Sequence, residues 1–338
     1  MPIYRDLSGN NSRSLWHAVL SAAVAICLVC GCFELGYAAP ALTTASSPFL
    51  VGYFPCYKGV SFSDYAYKLD FRKMTHLNLA FGNPPKCDGV CNAHSNMDFS
   101  IHGQTDADIK SLVGAAHAAG VKVLISIGGG GGDQMILQFY NAGLSDALVT
   151  SLDKYVKAHN LDGVDLDIED PSNMGAPFAV FVKALIDKFH PQGRLVTAAV
   201  AKYLQDSMLD SALHQFDFIN VMNYSSYNAA VTALQFYSVQ KMVPKNKIVL
   251  GLPFFAQNLG GSKEEDYGDI LAAYPNAWRV DMVGGGAFDD GQVFNYLGES
   301  TMLQEILLAK GYGGVMIWQL LGDAPNPHSL LDLIQNNL

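Results

Sequence analysis

Eight short apolar runs recur along residues 49–338, separated by longer stretches of helical periodicity, and this alternation narrows the fold more than any other feature. The runs are Phe49–Phe54, Met74–Gly82, Val121–Gly128, Leu161–Glu169, Arg194–Ala201, Phe216–Tyr224, Lys247–Phe254 and Gly313–Leu320. Between them lie helix-like segments such as Ala107–Ala119, Ser145–Asn160, Ala176–Phe189 and Met302–Lys310. A strand followed each time by a helix returns parallel to its predecessor, so the sheet must be parallel and covered. Eight such units predict closure into an α/β, (β/α)8 TIM barrel, a single domain over residues 49–338. An open doubly wound sheet would need a nucleotide-type glycine fingerprint after an early strand, and none is present. Gly120, Gly193 and Gly311 fall near the ends of helix-like segments, where a left-handed cap is favoured. The longest connection, Phe255 to Tyr312, has room for a small excursion.

The fourth run contains Asp162, Gly163, Asp165, Asp167 and Glu169. As a strand it alternates, with Val164, Leu166 and Ile168 on one face and Asp165, Asp167 and Glu169 on the other. The competing reading is a solvated edge strand with an acidic outer face, and the aliphatic flank stands against it by implying that both faces are enclosed. Enclosed carboxylates repel and shift one another's pKa, which is the arrangement of a site that uses the shift. At the C-terminal end of a barrel strand, where such sites gather, Glu169 stands at the rim with Asp167 and Asp165 stacked beneath it.

Half the residues are hydrophobic, enough for one large core, and the net charge of -10 argues against a nucleic acid, whose phosphates need basic patches. A neutral partner suits it better. The first forty residues stand outside the fold. Arg5 and Arg13 precede an apolar stretch from Leu15 to Phe33, followed by small residues up to Ala41, the order of an export signal. Residues 1–41 are therefore read as an export signal or N-terminal anchor, and residues 42–48 as a short linker. The apolar stretch exceeds the usual signal length, which keeps an uncleaved membrane anchor open. Val29-Cys30-Gly31-Cys32, an imperfect lipoprotein box, adds lipidation at Cys32 as a third option. All three place the remainder outside the cytoplasm, secreted or membrane-anchored. In that oxidising setting Cys87–Cys91 is the simplest disulfide, leaving Cys56 free, with Cys56 bonded to either as the alternative. The histidines show no ligand spacing, and no metal or other cofactor is expected.

The spacing Asp-Gly-x-Asp-x-Asp-x-Glu, filled by residues 162–169, resembles the signature of glycoside hydrolase family 18, the chitinases and related endo-β-N-acetylglucosaminidases. Ser126-Ile127-Gly128-Gly129 resembles the family's third-strand motif, Met222-Asn223-Tyr224 the sixth, and Gly314-Val315-Met316-Ile317-Trp318 the eighth. The likeness thus covers nearly all of residues 49–338. It implies hydrolysis of β-1,4 bonds between N-acetylglucosamine units by a retaining, substrate-assisted route, an exception to the two-carboxylate scheme that is recognised for this family. Glu169 would be the general acid and base, Asp167 would orient the acetamido group, and Asp165 would support Asp167 from behind. Tyr224 would hydrogen-bond the acetamido oxygen, and Trp318 would form the floor under the reacting sugar. Two carboxylates on one strand cannot easily flank a glycosidic bond, so a nucleophile supplied by the substrate fits the strand geometry.

Tyr53 and Phe81 are further candidates for the sugar site, with core packing as the competing reading, and Met222 and Asn223 of the sixth motif are candidates beside them. Ser126 lacks a nucleophile elbow and is read as a structural hydrogen bonder. The Gly128–Gly132 run lacks the lysine of a phosphate loop and is read as a tight turn with close backbone approach. Asn223-Tyr224-Ser225 matches a glycosylation sequon, at a strand end poorly placed to accept a glycan.

Two positions depart from the family pattern. Ser225 stands where many members carry Asp, and Asp170-Pro171 where an aromatic residue often follows the acid. The large insertion of some processive members is predicted absent or much reduced, giving a shallower, more open cleft suited to soluble oligosaccharides. The expected partners are chitin or N-acetylglucosamine oligosaccharides, bound by a monomer that contacts no nucleic acid. The alternatives are cleavage of N-glycan chitobiose cores, and a lectin that binds sugar without cutting.

Overall fold

The structure, a computed structural model, describes residues 47–169, 175–202, 208–285 and 291–338. The expectations for an export segment, an anchor, Cys32 and the Asp170-Pro171 pair lie outside the described residues. Within them, no helix is long and apolar enough to cross a membrane.

All eight predicted runs become barrel strands: β1 (Phe49–Pro55), β2 (His76–Ala80), β3 (Lys122–Gly128), β4 (Gly163–Asp167), β5 (Leu195–Val200), β6 (Ile219–Val221), β7 (Ile248–Pro253) and β8 (Gly314–Trp318). They pair in parallel in the order β1-β8-β7-β6-β5-β4-β3-β2 and close on themselves. The predicted (β/α)8 barrel is the observed fold. β2, β3, β4 and β7 are buried nearly end to end, because helices cover one face and the barrel interior the other. Most strands are shorter than their apolar runs, since the run continues to be buried after the ladder hydrogen bonds have ended. In β4 this matters: the strand stops at Asp167, and Glu169 lies just beyond its end.

The helices keep their predicted places with small shifts at the ends. Asp106–Ala118 starts a residue early because Thr105 and Asp108 form a reciprocal capping box. Gly120 and Gly193 adopt left-handed φ of 80° and 69°, as predicted. Gly311 is not left-handed, as the chain turns there through Gly311 N–H to the Leu308 carbonyl instead.

Most of the core lies between the barrel and its helices. A smaller cluster of Val51, Tyr53, Ala80, Phe218, Val249 and Met316 fills the barrel itself, so the interior is a packed core. The connection between β7 and β8 carries a small antiparallel sheet of Glu264–Asp266, Phe255–Asn258, Val293–Asn295 and Met282–Gly284, with a helix at Tyr267–Ala273. This is the modest excursion its length allowed. Cys87 and Cys91 form the disulfide, and Cys56 is free and buried.

Candidate active site

Each residue of the acidic run takes a different position because the barrel strand passes from floor to rim. Asp162, at the floor, binds Lys122 Nζ at 2.7 Å, His117 Nε2 at 2.7 Å and the Val123 N–H at 2.8 Å. It is a clasp between β3 and β4. Gly163 is needed because a Cβ there would lie 2.1 Å from the Leu195 carbonyl oxygen on β5.

Asp165 is fully buried inside the barrel. Its carboxylate accepts hydrogen bonds from Thr197 Oγ1 at 2.6 Å, Tyr53 Oη at 2.6 Å, Ser126 Oγ at 2.8 Å and Asn220 Nδ2 at 3.2 Å. Register explains the convergence, since Ser126 on β3 and Thr197 on β5 lie directly opposite Asp165 on β4. Burial pushes the Asp165 pKa up while the four donors pull it back by stabilising the charged form. Asp167 is the next inward side chain, 4% exposed, and its Oδ1 has no hydrogen-bond partner among the described residues. Burial first, then the charges of Glu169, Asp165 and Asp133, hold its pKa well above the carboxylate range. Glu169, half-buried at the rim, is also raised, by burial and then by Asp133. A carboxylate stack thus runs from Asp165, with four hydrogen-bond donors, to two carboxyls whose pKa burial and neighbouring charge raise.

The stack opens into a cleft of about 830 Å³, within the range of small-molecule sites. Asp167, Glu169, Tyr53, Phe81, Met222, Asn223, Tyr224 and Trp318 all line it, so the candidate residues are brought to one place. Trp318 stacks on Phe81 at 5.7 Å between ring centroids and meets the Tyr53 ring edge at 5.5 Å, forming an aromatic floor. Tyr224 packs edge-on against Phe255 from the excursion, and lies over Gly251, where a Cβ would come within 3.2 Å of its ring.

Some expectations need revision. Tyr53 lines the cleft, but its hydroxyl is committed to Asp165, so it acts on a ligand only through its ring or through that carboxylate. Asn223 is largely buried and its amide turns to the Ser226 carbonyl at 3.5 Å, supporting the turn after β6. Ser126 is a structural donor, as read from the sequence. The Gly128–Gly132 run is a close-approach turn: a Cβ on Gly128 would sit 2.2 Å from the Asp167 carbonyl oxygen, and one on Gly129 2.3 Å from the Phe81 ring.

Thr197, Asn220, Asp133, Lys202, Phe255, Gln257 and Glu264 were missed. Thr197 and Asn220 carried a readable signal, a polar residue on the inward face of an otherwise apolar strand. The others come from loops and the excursion, whose approach to the cleft only the fold decides.

A profile of the family described as Glycosyl hydrolases family 18 matches residues 50–323. Among similar proteins are a chitinase-like effector of Moniliophthora roreri, 24% identical over 66% of this chain and 63% of its own length, and an endochitinase of Brugia malayi, 24% identical over 65% and 58%. An exochitinase of Streptomyces olivaceoviridis is 41% identical over 28% of this chain and 16% of its own. The chain spans less than two thirds of the length of each of these relatives. Of solved structures, the chitinase ChiB of Flavobacterium johnsoniae superposes with a TM-score of 0.73 at 26% identity, covering 86% of this chain and 93% of that one. A chitinase of Bacteroides thetaiotaomicron gives 0.70 at 25%, covering 86% and 96%. With the profile spanning the barrel from β1 to just beyond β8, this chain belongs to glycosyl hydrolase family 18.

Proposed function

We propose that this protein hydrolyses β-1,4 bonds between N-acetylglucosamine units of chitin or its oligomers, with retention and with the substrate's acetamido group as nucleophile. The observation that carries this reading is the carboxylate stack of one strand, which ends in two carboxyls of raised pKa lining an aromatic-floored cleft. Both acids approach a bound sugar from the same side, so neither is placed to attack the anomeric carbon from behind.

In this mechanism the reacting sugar lies on Trp318 with its acetamido group directed at Asp167 and Tyr224. Asp167 turns to accept the acetamido N–H, and the Tyr224 hydroxyl donates to the acetamido oxygen. That oxygen attacks the anomeric carbon as the glycosidic C–O bond breaks, and the Glu169 proton passes to the leaving oxygen. The cation formed is an oxazolinium, stabilised by the charge of Asp167 with Asp165 behind it. Water then adds to the anomeric carbon, its proton goes to Glu169, and the ring reopens to the acetamide with β configuration restored. General acid catalysis at near-neutral pH requires a carboxyl pKa above its usual value, which burial and neighbouring charge supply at Glu169.

The test is incubation of the chain and its Glu169→Gln variant with N-acetylglucosamine oligomers, following products by mass and anomeric form. Cleavage with retained β-configuration that drops by about a thousandfold or more in the variant is expected, the scale of losing a general acid and base. Tight oligomer binding without cleavage by the unaltered chain would instead establish a lectin.

A further inference from the structure

Asp266 stands at the N-cap of the short helix Tyr267–Ala273, a place where an aspartate ordinarily accepts a hydrogen bond from the first turn. Its side chain makes no such bond. The carboxylate turns away from its own helix and joins two other segments. Oδ1 and Oδ2 accept hydrogen bonds from Lys58 Nζ, just beyond the end of β1, at 2.8 and 2.9 Å, and Oδ1 also accepts one from Gln319 Nε2 at 3.0 Å. Stability is a weak reason for this arrangement, because a partly exposed ion pair contributes little to it. The carboxylate calls for an explanation beyond its helix.

Two of the three joined segments border the cleft. Gln319 is buried and follows Trp318 directly in the chain. Its Nε2 is held by Asp266 and its Oε1 accepts the Leu321 N–H at 2.8 Å, so neither end of the amide is free to turn. Backbone bonds run alongside this clasp: the Trp318 carbonyl accepts the Phe254 N–H at 2.7 Å, and the Phe254 carbonyl the Tyr267 N–H at 3.0 Å. Gly322 allows the approach, since a Cβ there would lie 2.1 Å from the Phe254 carbonyl oxygen and 3.3 Å from Asp266 Oδ1. Within the excursion, Asp266 pairs with Phe255 and Glu264 with Gln257 across an antiparallel ladder. Residues so paired share a face, and Phe255, Gln257 and Glu264 on that face line the cleft. Phe255 in turn meets the Tyr224 ring edge-on at 5.5 Å. One carboxylate therefore links the wall that supports Tyr224 to the aromatic floor at Trp318.

We propose that Asp266 is a positioning residue for substrate binding, whose clasp on Lys58 and Gln319 holds the excursion wall at a fixed distance from the Trp318 floor and so sets how tightly the cleft grips an N-acetylglucosamine oligomer. The choice of ligand rests on the hydrolase reading, but the grip is measurable without turnover. Lys58, Asp266 and Gln319 act on the ligand only through Trp318 and the wall, so the effect falls on binding and leaves the chemical step nearly intact.

The experiment compares the chain with Asp266→Ala, Lys58→Met, the two together, and Lys58→Arg. On each, kcat and KM are measured with an N-acetylglucosamine oligomer, and the Kd of the same oligomer by calorimetry in a Glu169→Gln background. Asp266→Ala, which removes both links, should raise KM and Kd about 5–20-fold while kcat stays within about twofold. Lys58→Met, which removes one, should raise them about 2–5-fold. The double variant should match Asp266→Ala alone, because both changes act through one contact. Lys58→Arg, which keeps the ion pair, should stay near the unaltered chain. Lys58→Met lies on a different segment and carries the test should Asp266→Ala fold poorly. A Kd unmoved in either variant, a kcat that falls while KM and Kd hold, or single effects that multiply in the double would overturn the proposal and leave an idle surface ion pair. An unaltered chain that binds oligomers without cleaving them would refute the hydrolase reading, while the calorimetric Kd values would still decide the role of Asp266. A chain that binds no oligomer would refute both.

Discussion

At the scale of single residues, the chemistry of this site is a matter of which carboxylates are satisfied. Asp165 has four donors and Asp167 Oδ1 has none among the described residues, although both are buried on the same strand. Removing one donor should disturb the whole stack. Tyr53→Phe leaves Asp165 Oδ2 with Ser126 alone, and hydrogen bonds to charged groups are worth about 1.5–3 kcal/mol. The expected loss in kcat is roughly 10–100-fold with the fold retained, measured by steady-state kinetics alongside circular dichroism. Glu305 presents the opposite case, a buried carboxyl with neither oxygen paired among the described residues and no access to the cleft. Burial, and then Asp281, push its pKa up to about 8. The folded form therefore holds a proton that the unfolded chain gives up near the ordinary glutamate value. Stability attributable to this group is present below that value and is lost as pH rises through about 8. Glu305→Met should flatten this dependence and raise stability at pH 8.5 by a few kcal/mol relative to pH 5, on the order set by linkage. Urea denaturation at the two pH values checks it.

At the scale of elements, glycines decide how closely neighbours approach. Gly163 sits against the β5 backbone, and unlike a flexible side chain, a carbonyl in a barrel ladder cannot step aside. Gly163→Ala should therefore cost at least about 3 kcal/mol or abolish folding, read from the urea midpoint, because a clash at backbone distance forces the strands apart. The same reasoning explains why the acidic run begins Asp-Gly: both residues serve the floor of the barrel, and only the later three serve the rim. From the run alone, Asp162 and Glu169 are equally acidic. Their separate fates come from strand direction, which places one beside Lys122 and His117 and the other at the cleft.

At the scale of the molecule, a net charge of -10 surrounds a cleft whose proposed substrate is neutral. If the substrate is uncharged, kcat/KM should change less than about twofold between roughly 20 and 200 mM salt, since there is no steering for ions to screen. A steep salt dependence would point to a charged ligand.

The barrel itself was legible because each strand is buried on both faces and each helix on one, so hydrophobic periodicity records the eightfold alternation directly. The acid stack was legible for the same reason: period-two alternation assigns Asp165, Asp167 and Glu169 to one face without any knowledge of neighbours. Ser126, Thr197 and Asn220 sit on that same inner surface, yet their convergence on Asp165 depends on inter-strand register. Register is a property of the closed sheet and leaves no mark within a single strand. Tyr53 and Asn223 line the cleft, but hydrogen bonds formed across 112 and 3 residues of sequence commit their polar ends to the protein. Asp133, Lys202, Phe255 and Glu264 reach the site from loops and from the excursion, where no periodicity constrains the path. By itself, then, the sequence determined the strands, their inward faces and the acid on the rim, because these follow from local alternation and burial. Which donors hold Asp165, which charge stands beside Glu169 and which walls enclose the cleft were decided by closure of the barrel, which brings together residues that no short-range pattern connects.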